Sequence, residues 1–161
     1  MKKLLFLFCL LSWSVLHAQK TINRPPFIAK ATETIEIAAI HLSDTATVVD
    51  VDAKFIPKNW IRIAPATCLV ADNGERYQVR QGVGIELGQE FWMPESGEAT
   101  FSLIFPPLPA SVKSFDFVEG EGERDFNLFG ISLIGKLPKL QLPKDLGKVG
   151  KENAVVLSSR G

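Results

Sequence analysis

One stretch decides the fold, residues 94–133, which read PESGEATFSLIFPPLPASVKSFDFVEGEGERDFNLFGISL. Three runs within it are predicted to be short β-strands, in which successive side chains point to opposite faces. These runs are 99–105, 114–119 and 126–134. In the first run, Phe101, Leu103 and Phe105 fall on one face, which predicts a strand with one side in a core.

The third run is apolar on both faces. Its two faces are predicted to carry Phe126, Leu128 and Gly130 on one side and Phe129, Ile131 and Leu133 on the other. This pattern predicts a strand that is covered on both sides or central in a sandwich. A proline loop at 106–109 separates the first two runs, because proline has no N–H to donate to a sheet. An acidic glycine loop at 119–123 separates the second and third.

The same period of two recurs upstream of this stretch. The upstream runs are 33–42, 45–55, 60–63 and 67–71. Asn73-Gly74 then predicts a hairpin with a type I′ turn, and no window before residue 135 has a helical period. We therefore expect an all-β fold, an antiparallel immunoglobulin-like β-sandwich of about 7–9 short strands.

The N-terminal segment has the features of a secretory signal peptide. In residues 1–18, Lys2 and Lys3 precede an apolar run of about a dozen residues, and Ala18 precedes the expected cut. That run is too short to span a bilayer comfortably. We expect an exported protein, periplasmic or extracellular, with no stable membrane span after cleavage.

Composition divides the remainder of the chain into three parts. Residues 19–32 are predicted to be an extended lead-in, and 33–134 the β-sandwich domain. Residues 135–161 are predicted to be a flexible, linker-like tail with a net charge of about +4. Removing Lys2 and Lys3 from a chain with 18 basic and 18 acidic residues leaves a mature charge of about −2. This balance gives no electrostatic reason to bind nucleic acid.

Cys68 is the only cysteine left after the predicted cleavage, so it cannot form an intramolecular disulfide. It lies in an apolar, strand-like run. One interpretation is a buried, inert small hydrophobe; the other is a reactive thiol that forms mixed disulfides. Exposure of the thiol would favour the second interpretation, and burial would exclude it.

The mature chain lacks the residues that a catalytic triad or a zinc site needs. His41 is the only histidine of the mature chain, and zinc or a catalytic triad needs more partners than His41 and Cys68. We predict no catalytic, cofactor or metal site. Asp50 and Asp52 are predicted to lie on the solvent-exposed face of a strand. The acidic loop is predicted to be exposed to solvent, and a calcium-binding loop is the alternative. Its acidic residues are Glu119, Glu121, Glu123 and Asp125.

Four aromatic residues are candidates for a binding groove: Trp60, Tyr77, Phe91 and Trp92. Aromatic side chains could bind a sugar or a peptide there. In sandwiches they more often cover the core or an edge, so both interpretations remain open.

Several segments together resemble a known protein module. They are 60–63, 71–77, 91–98, 101–109 and 115–120. Over about residues 34–134 the chain is similar to the N-terminal β-sandwich module that precedes the thioredoxin-like domain in some secreted (TlpA-type) thiol-disulfide oxidoreductases of Gram-negative bacteria. The resemblance implies a β-sandwich and an envelope location, and it makes the tail similar to a linker. It implies no redox activity, because the chain has no Cys-x-x-Cys.

Our leading expectation is a non-enzymatic, exported module without cofactor, a monomer that binds or positions a protein partner in the envelope. One alternative is an accessory to periplasmic thiol-disulfide exchange through Cys68. Another is a carbohydrate- or peptide-binding domain that uses Trp60 and Trp92, which requires both rings on one exposed patch.

Overall fold

The computed structural model describes residues 19–120, 122 and 125–137. These residues form twelve strands and no helix. In chain order the strands are β1 (Lys20–Asn23), β2 (Ala29–Lys30), β3 (Ile35–Leu42), β4 (Thr47–Lys54), β5 (Trp60–Ile61), β6 (Cys68–Ala71), β7 (Arg76–Gln78), β8 (Gln81–Val83), β9 (Phe91–Trp92), β10 (Glu98–Phe105), β11 (Ser114–Val118) and β12 (Leu128–Ser132). The count exceeds the predicted 7–9 because five strands have only two or three residues, too few to register as a period of two.

The strands form two five-stranded antiparallel sheets and a two-stranded ribbon. The first sheet has the order β1-β3-β4-β10-β8, the second has the order β2-β12-β11-β6-β7, and β5 pairs with β9 in the ribbon. The predicted all-β antiparallel fold is thus confirmed. The predicted lead-in 19–32 supplies one edge strand to each sheet, since β1 pairs with β3 and β2 with β12.

The core lies between the two sheets. Alternation buries one face of each long strand, as predicted for Phe101, Leu103 and Phe105 of β10. Across the core, the ring of Phe105 meets that of Phe117 on β11 edge to face, with centroids 6.4 Å apart and planes at 78°. Buried residues of both sheets form one contiguous cluster, so the sheets pack face to face as a sandwich.

The predicted alternation along the third run is wrong. Leu128 and Ile131 are both buried although they are three residues apart, and Phe129 between them is 38% exposed. The register explains this, because Phe115 and Phe117 of β11 lie opposite Ile131 and Leu128. The strand β12 therefore carries one extra residue, a β-bulge.

The β6–β7 hairpin is confirmed, but its predicted turn type is wrong. A type I′ turn needs positive φ at both central residues. Here Gly74 has a φ of 86°, and Asn73 is not among the positive-φ residues. The Gly74 N–H donates to the Ala71 carbonyl at 2.8 Å, and Val70 pairs with Arg76. The connection is a three-residue loop that ends in a left-handed glycine.

The sandwich has two distinct ends. Strands β4 and β10 pair over their whole length, from Thr47 opposite Phe105 to Lys54 opposite Glu98, which spans roughly 25 Å. We call the end at Thr47 and Phe105 the terminal end. Lys20 and Leu133, near the first and last described residues, line a cavity of about 240 Å³ there together with Leu42. The other is the distal end, and the chain passes from it into the β5–β9 ribbon.

The predicted signal peptide 1–18 lies outside the described residues, as does the predicted tail beyond residue 137. In the described ranges, no helix is long and apolar enough to cross a membrane.

Candidate functional site

Trp60 and Trp92 lie directly opposite each other in the β5–β9 ribbon at the distal end. Their exposed fractions are 41% and 60%. The neighbouring residues point the other way: Ile61 is buried, and the Phe91 ring packs against Phe101 with centroids 6.4 Å apart. The ribbon thus anchors one face in the core and presents two indoles to solvent. We call Trp60 and Trp92 the tryptophan pair.

Hydrogen bonding in the ribbon places the Cβ atoms of the two tryptophans close together. The Met93 N–H donates to the Asn59 carbonyl at 2.8 Å. Because hydrogen-bonded and non-hydrogen-bonded pairs alternate between antiparallel strands, Trp60 and Trp92 form a non-hydrogen-bonded pair, in which side chains are closer. Directly opposed residues have Cβ atoms about 4.5–5.5 Å apart. The two side chains therefore leave the ribbon from neighbouring positions on one face.

The turn before β5 fixes the position of the ribbon. Lys58 has a φ of 60°, and the Asn59 N–H donates to the Ile56 carbonyl at 3.1 Å. The Asn59 side chain accepts a hydrogen bond from the Trp60 N–H at 3.1 Å. Nearby, Gly97 has a φ of 70°, and a Cβ there would lie 2.6 Å from the Phe55 carbonyl oxygen. Glycine is therefore required where β10 approaches this turn.

A groove of about 740 Å³ adjoins the tryptophan pair. Its volume is within the range of ligand sites in proteins. Trp60 belongs to both the pair and the groove, so the two form a continuous surface. The aromatic and charged residues of the lining are Glu33, Phe55, Trp60, Arg62, Glu119, Asp125 and Phe126.

Glu119 builds one wall of this groove. Its Oε1 accepts a hydrogen bond from the Ala64 N–H at 2.7 Å, and its Oε2 accepts one from the Phe126 N–H at 2.8 Å. Burial raises the pKa of Glu119, and the charge of Asp125 adds to this. The two N–H donors and the charge of Arg62 lower the pKa by less, so the net shift is upward. The carboxylate ties two loops together.

The prediction that Glu119 belongs to a solvated loop is wrong. Phe115, Phe117 and Glu119 share a period of two, and this period was the signal that Glu119 continues the buried face of β11. In the same loop, Asp125 Oδ2 accepts a hydrogen bond from the Gly122 N–H at 2.7 Å. Glu121 and Glu123 lie outside the described residues. Among the residues that are described, no group of three or more His, Cys, Asp or Glu could hold a metal ion.

Arg62 is the cation of the groove. The charge of its guanidinium acts on Glu119, and no hydrogen bond or ion pair with another described residue occupies it. Glu33, another residue of the lining, is paired through Oε2 with Lys30 at 2.7 Å. Sequence reasoning gave Arg62 no role, because one exposed arginine in a short strand has no distinctive pattern.

Tyr77 lies away from the tryptophan pair. It is on β7, the edge strand of the second sheet, opposite Leu69. Its hydroxyl donates to Glu75 Oε2 at 2.5 Å, and it is not a lining residue of the groove. The structure brings together Trp60 and Trp92, with Phe91 anchoring the ribbon beneath them, and leaves Tyr77 apart.

Cys68 is a free cysteine on β6 and is 4% exposed. Its Sγ accepts a hydrogen bond from Arg76 Nη2 at 3.2 Å. Thiol-disulfide exchange needs an accessible sulfur. The burial of Cys68 therefore argues against the thiol-exchange alternative.

A polar row crosses the outer face of the first sheet. Ser102 Oγ donates to Asp50 Oδ1 at 2.7 Å, and Asp50 Oδ2 lies 2.7 Å from His41 Nε2. His41 Nδ1 lies 3.0 Å from Thr21 Oγ1. Burial raises the pKa of Asp50, but hydrogen bonds from Ser102 and His41 and the charge of His41 outweigh it and lower the pKa overall.

This row does not have the order of a catalytic triad. In a triad the imidazole contacts the serine, whereas here the carboxylate lies between them. The four residues come from four strands, so only the strand register brings them together. Sequence reasoning placed Asp50 on the wet face and missed its partners.

The distal end offers a binding surface of exposed indoles beside hydrogen-bond donors and acceptors. In comparisons with known proteins, the chain matches no protein-family model, no curated protein and no solved structure. A function must therefore be argued from the geometry of this surface.

Proposed function

We propose that the chain is an exported, non-enzymatic β-sandwich module that binds a partner in the cell envelope through the tryptophan pair and the adjoining groove. The observation that carries this proposal is the direct pairing of Trp60 with Trp92 while both remain exposed. Large exposed aromatic patches mark interaction sites, and tryptophan is enriched among the residues that dominate binding energy.

The orientation of the sandwich supports this role. Lys20 and Leu133, near the two ends of the described domain, both line the cavity at the terminal end. The tryptophan pair lies at the distal end, roughly 25 Å away along β4 and β10. A module held through either of its ends would present the pair outward. The signal-peptide features of 1–18 and the resemblance to envelope modules support the location.

A carbohydrate- or peptide-binding domain is the second candidate. The groove favours it, because an extended protein surface would not need a cleft of about 740 Å³ beside the indoles. The two candidate functions use the same residues and differ in the class of ligand that those residues bind. The third expectation, thiol exchange through Cys68, receives no support, because the cysteine is buried and only 4% exposed.

Co-sedimentation with insoluble envelope material from the source organism tests the site. The processed chain from Gln19 to Gly161 is compared with a Trp60→Ala/Trp92→Ala variant. Val83→Ala is the matched control, since Val83 is 51% exposed on the edge strand β8. We expect the processed chain and the control to sediment with the envelope and the double variant to stay in solution. Equal sedimentation of all three would overturn the proposal.

A further inference from the structure

On the basis of the proposed site, we propose that its ligand is a neutral carbohydrate chain. Two or more sugar rings lie across the tryptophan pair, and the hydroxyls of an adjoining ring enter the groove. The proposal depends on the pairing of Trp60 and Trp92, on the continuity of Trp60 with the groove and on the charges in that groove.

The tryptophan pair suits the flat C–H face of a pyranose ring. The face of an indole carries partial negative charge, and the C–H hydrogens of a sugar carry partial positive charge, so the two stack favourably. Trp60 and Trp92 are directly opposed in a non-hydrogen-bonded pair, and both are exposed. Two exposed indoles on one face provide more surface than one sugar ring covers, which favours a chain over a monosaccharide.

The groove suits hydroxyl groups better than charged groups. Both oxygens of Glu119 accept backbone N–H bonds, and Glu33 is paired with Lys30. Asp125 uses Oδ2 for the Gly122 N–H, and no hydrogen bond from a described residue reaches Oδ1. Among the described residues, the groove thus offers the guanidinium of Arg62 as a donor and a carboxylate oxygen of Asp125 as an acceptor. A hydroxyl can both donate and accept, so it satisfies this combination.

The charges near the pair disfavour an anionic partner such as an acidic lipid surface. The two lysines there are neutralised, since Lys54 lies 3.1 Å from Glu98 and Lys58 lies 2.8 Å from Glu95. Binding to anionic lipid requires surplus positive charge near the surface. The groove adds more carboxylates than cations.

Intrinsic fluorescence provides a site-specific test. The chain has three tryptophans, and Trp13 lies within residues 1–18, so the processed chain emits only from Trp60 and Trp92. We would titrate it with neutral hexasaccharides: cellohexaose, xylohexaose, chitohexaose and maltohexaose. Glucose tests chain length, and hexagalacturonate tests negative charge. Calorimetry measures the variants that lack a tryptophan.

The proposal predicts a saturable change in emission with at least one neutral hexasaccharide. Binding should weaken about tenfold or more in Trp60→Ala and in Trp92→Ala, each with an unchanged unfolding midpoint. Val83→Ala should bind like the unmodified chain. Glucose and hexagalacturonate should give no saturable change.

Two results would overturn the carbohydrate proposal. One is no response to any neutral hexasaccharide while Trp60→Ala/Trp92→Ala still loses envelope binding; the site would then be right and the ligand class wrong, as for a peptide. The other is envelope binding that survives the double substitution, which would overturn the proposed function as well.

Discussion

The Lys20 ammonium donates a hydrogen bond of 2.8 Å to the carbonyl oxygen of Leu133. Lys20 begins β1 of the first sheet, and Leu133 follows β12 of the second. The bond therefore joins the two sheets where the described domain begins and ends. Trp60 and Trp92 lie at the distal end, away from Lys20 and Leu133.

Cys68 should react with a thiol reagent only when the protein unfolds. Its side chain is buried on β6, and only the accessible thiolate is the nucleophile. We expect labelling in denaturant to be at least about a hundredfold faster than in the native protein, because global opening is rare in a stable domain. Rapid native labelling would restore the thiol-exchange alternative.

Gly130→Ala should destabilise the sandwich more than Gly74→Ala. Both glycines have positive φ, but a Cβ at Gly130 would lie 2.5 Å from Ile28, whereas a Cβ at Gly74 meets nothing within 4 Å. We expect a loss of about 1 kcal/mol at Gly74, from backbone strain, and about 3 kcal/mol at Gly130, where a clash adds to it. Urea unfolding measures both.

A second substitution separates the clash from the strain. Ile28→Ala removes the Cδ1 and Cγ1 atoms that a Cβ at Gly130 would meet at 2.5 and 2.6 Å, and it leaves the Ile28 Cβ at 3.0 Å. In the Ile28→Ala background, Gly130→Ala should therefore cost less than in the unmodified protein. An unchanged cost in that background would contradict the clash with Ile28.

Glu119→Gln should destabilise the protein near neutral pH by about 1–3 kcal/mol. Glutamine keeps one acceptor oxygen, so either the Ala64 or the Phe126 N–H loses its partner. Urea unfolding of the variant and the unmodified protein measures the difference. A variant as stable as the unmodified protein would show that the carboxylate does not hold the two loops.

The pH dependence of this difference has a defined sign. The pKa of Glu119 is raised above its usual 4.5, so the folded protein binds the proton more readily than the unfolded chain. The stabilisation linked to this proton is fully present below pH 4.5 and is lost as pH rises through the folded pKa. The advantage of the unmodified protein over Glu119→Gln should therefore grow as pH falls across this window. A difference that does not change with pH would contradict the assigned shift.

Asp50→Asn should show the opposite pH dependence. The pKa of Asp50 is lowered from 3.8, so its stabilising effect is present above pH 3.8 and is lost as pH falls through the folded pKa. Because solvent screens this partly exposed pair with His41, we expect a loss of about 0.5 kcal/mol near neutral pH. Urea unfolding should find no difference at strongly acidic pH. A difference that persists there would have to come from altered packing.

Sequence reasoning succeeded where a strand was long and one face was buried. The alternation in β4 and β10 predicted their buried faces, because a period of two decides which side chains enter the core. It failed at β12, where the extra residue of the bulge shifts the period between Leu128 and Ile131. A bulge depends on how a strand meets its neighbour, and a single sequence does not contain that information.

The candidate site was only partly predictable for a similar reason. Residue type alone points to Trp60 and Trp92, but their opposition depends on pairing across 32 positions of the chain. Residue type points equally to Tyr77, which lies on another edge. Glu119 was assigned to water because it sits beside glycines, although the buried face of β11 runs through it. Residue type suggested the chemistry, and the register decided which residues share a surface.

The most direct test of the central claim measures how accessible each indole is when ligand is bound. Trp60→Phe and Trp92→Phe leave the processed chain with one emitting tryptophan each, and acrylamide quenches an indole only where it can make contact. With the tightest-binding neutral hexasaccharide at saturation, confirmed by calorimetry, our account predicts that quenching falls in both variants. Unchanged quenching of both at saturation would contradict it, because the ligand would then lie away from the tryptophan pair.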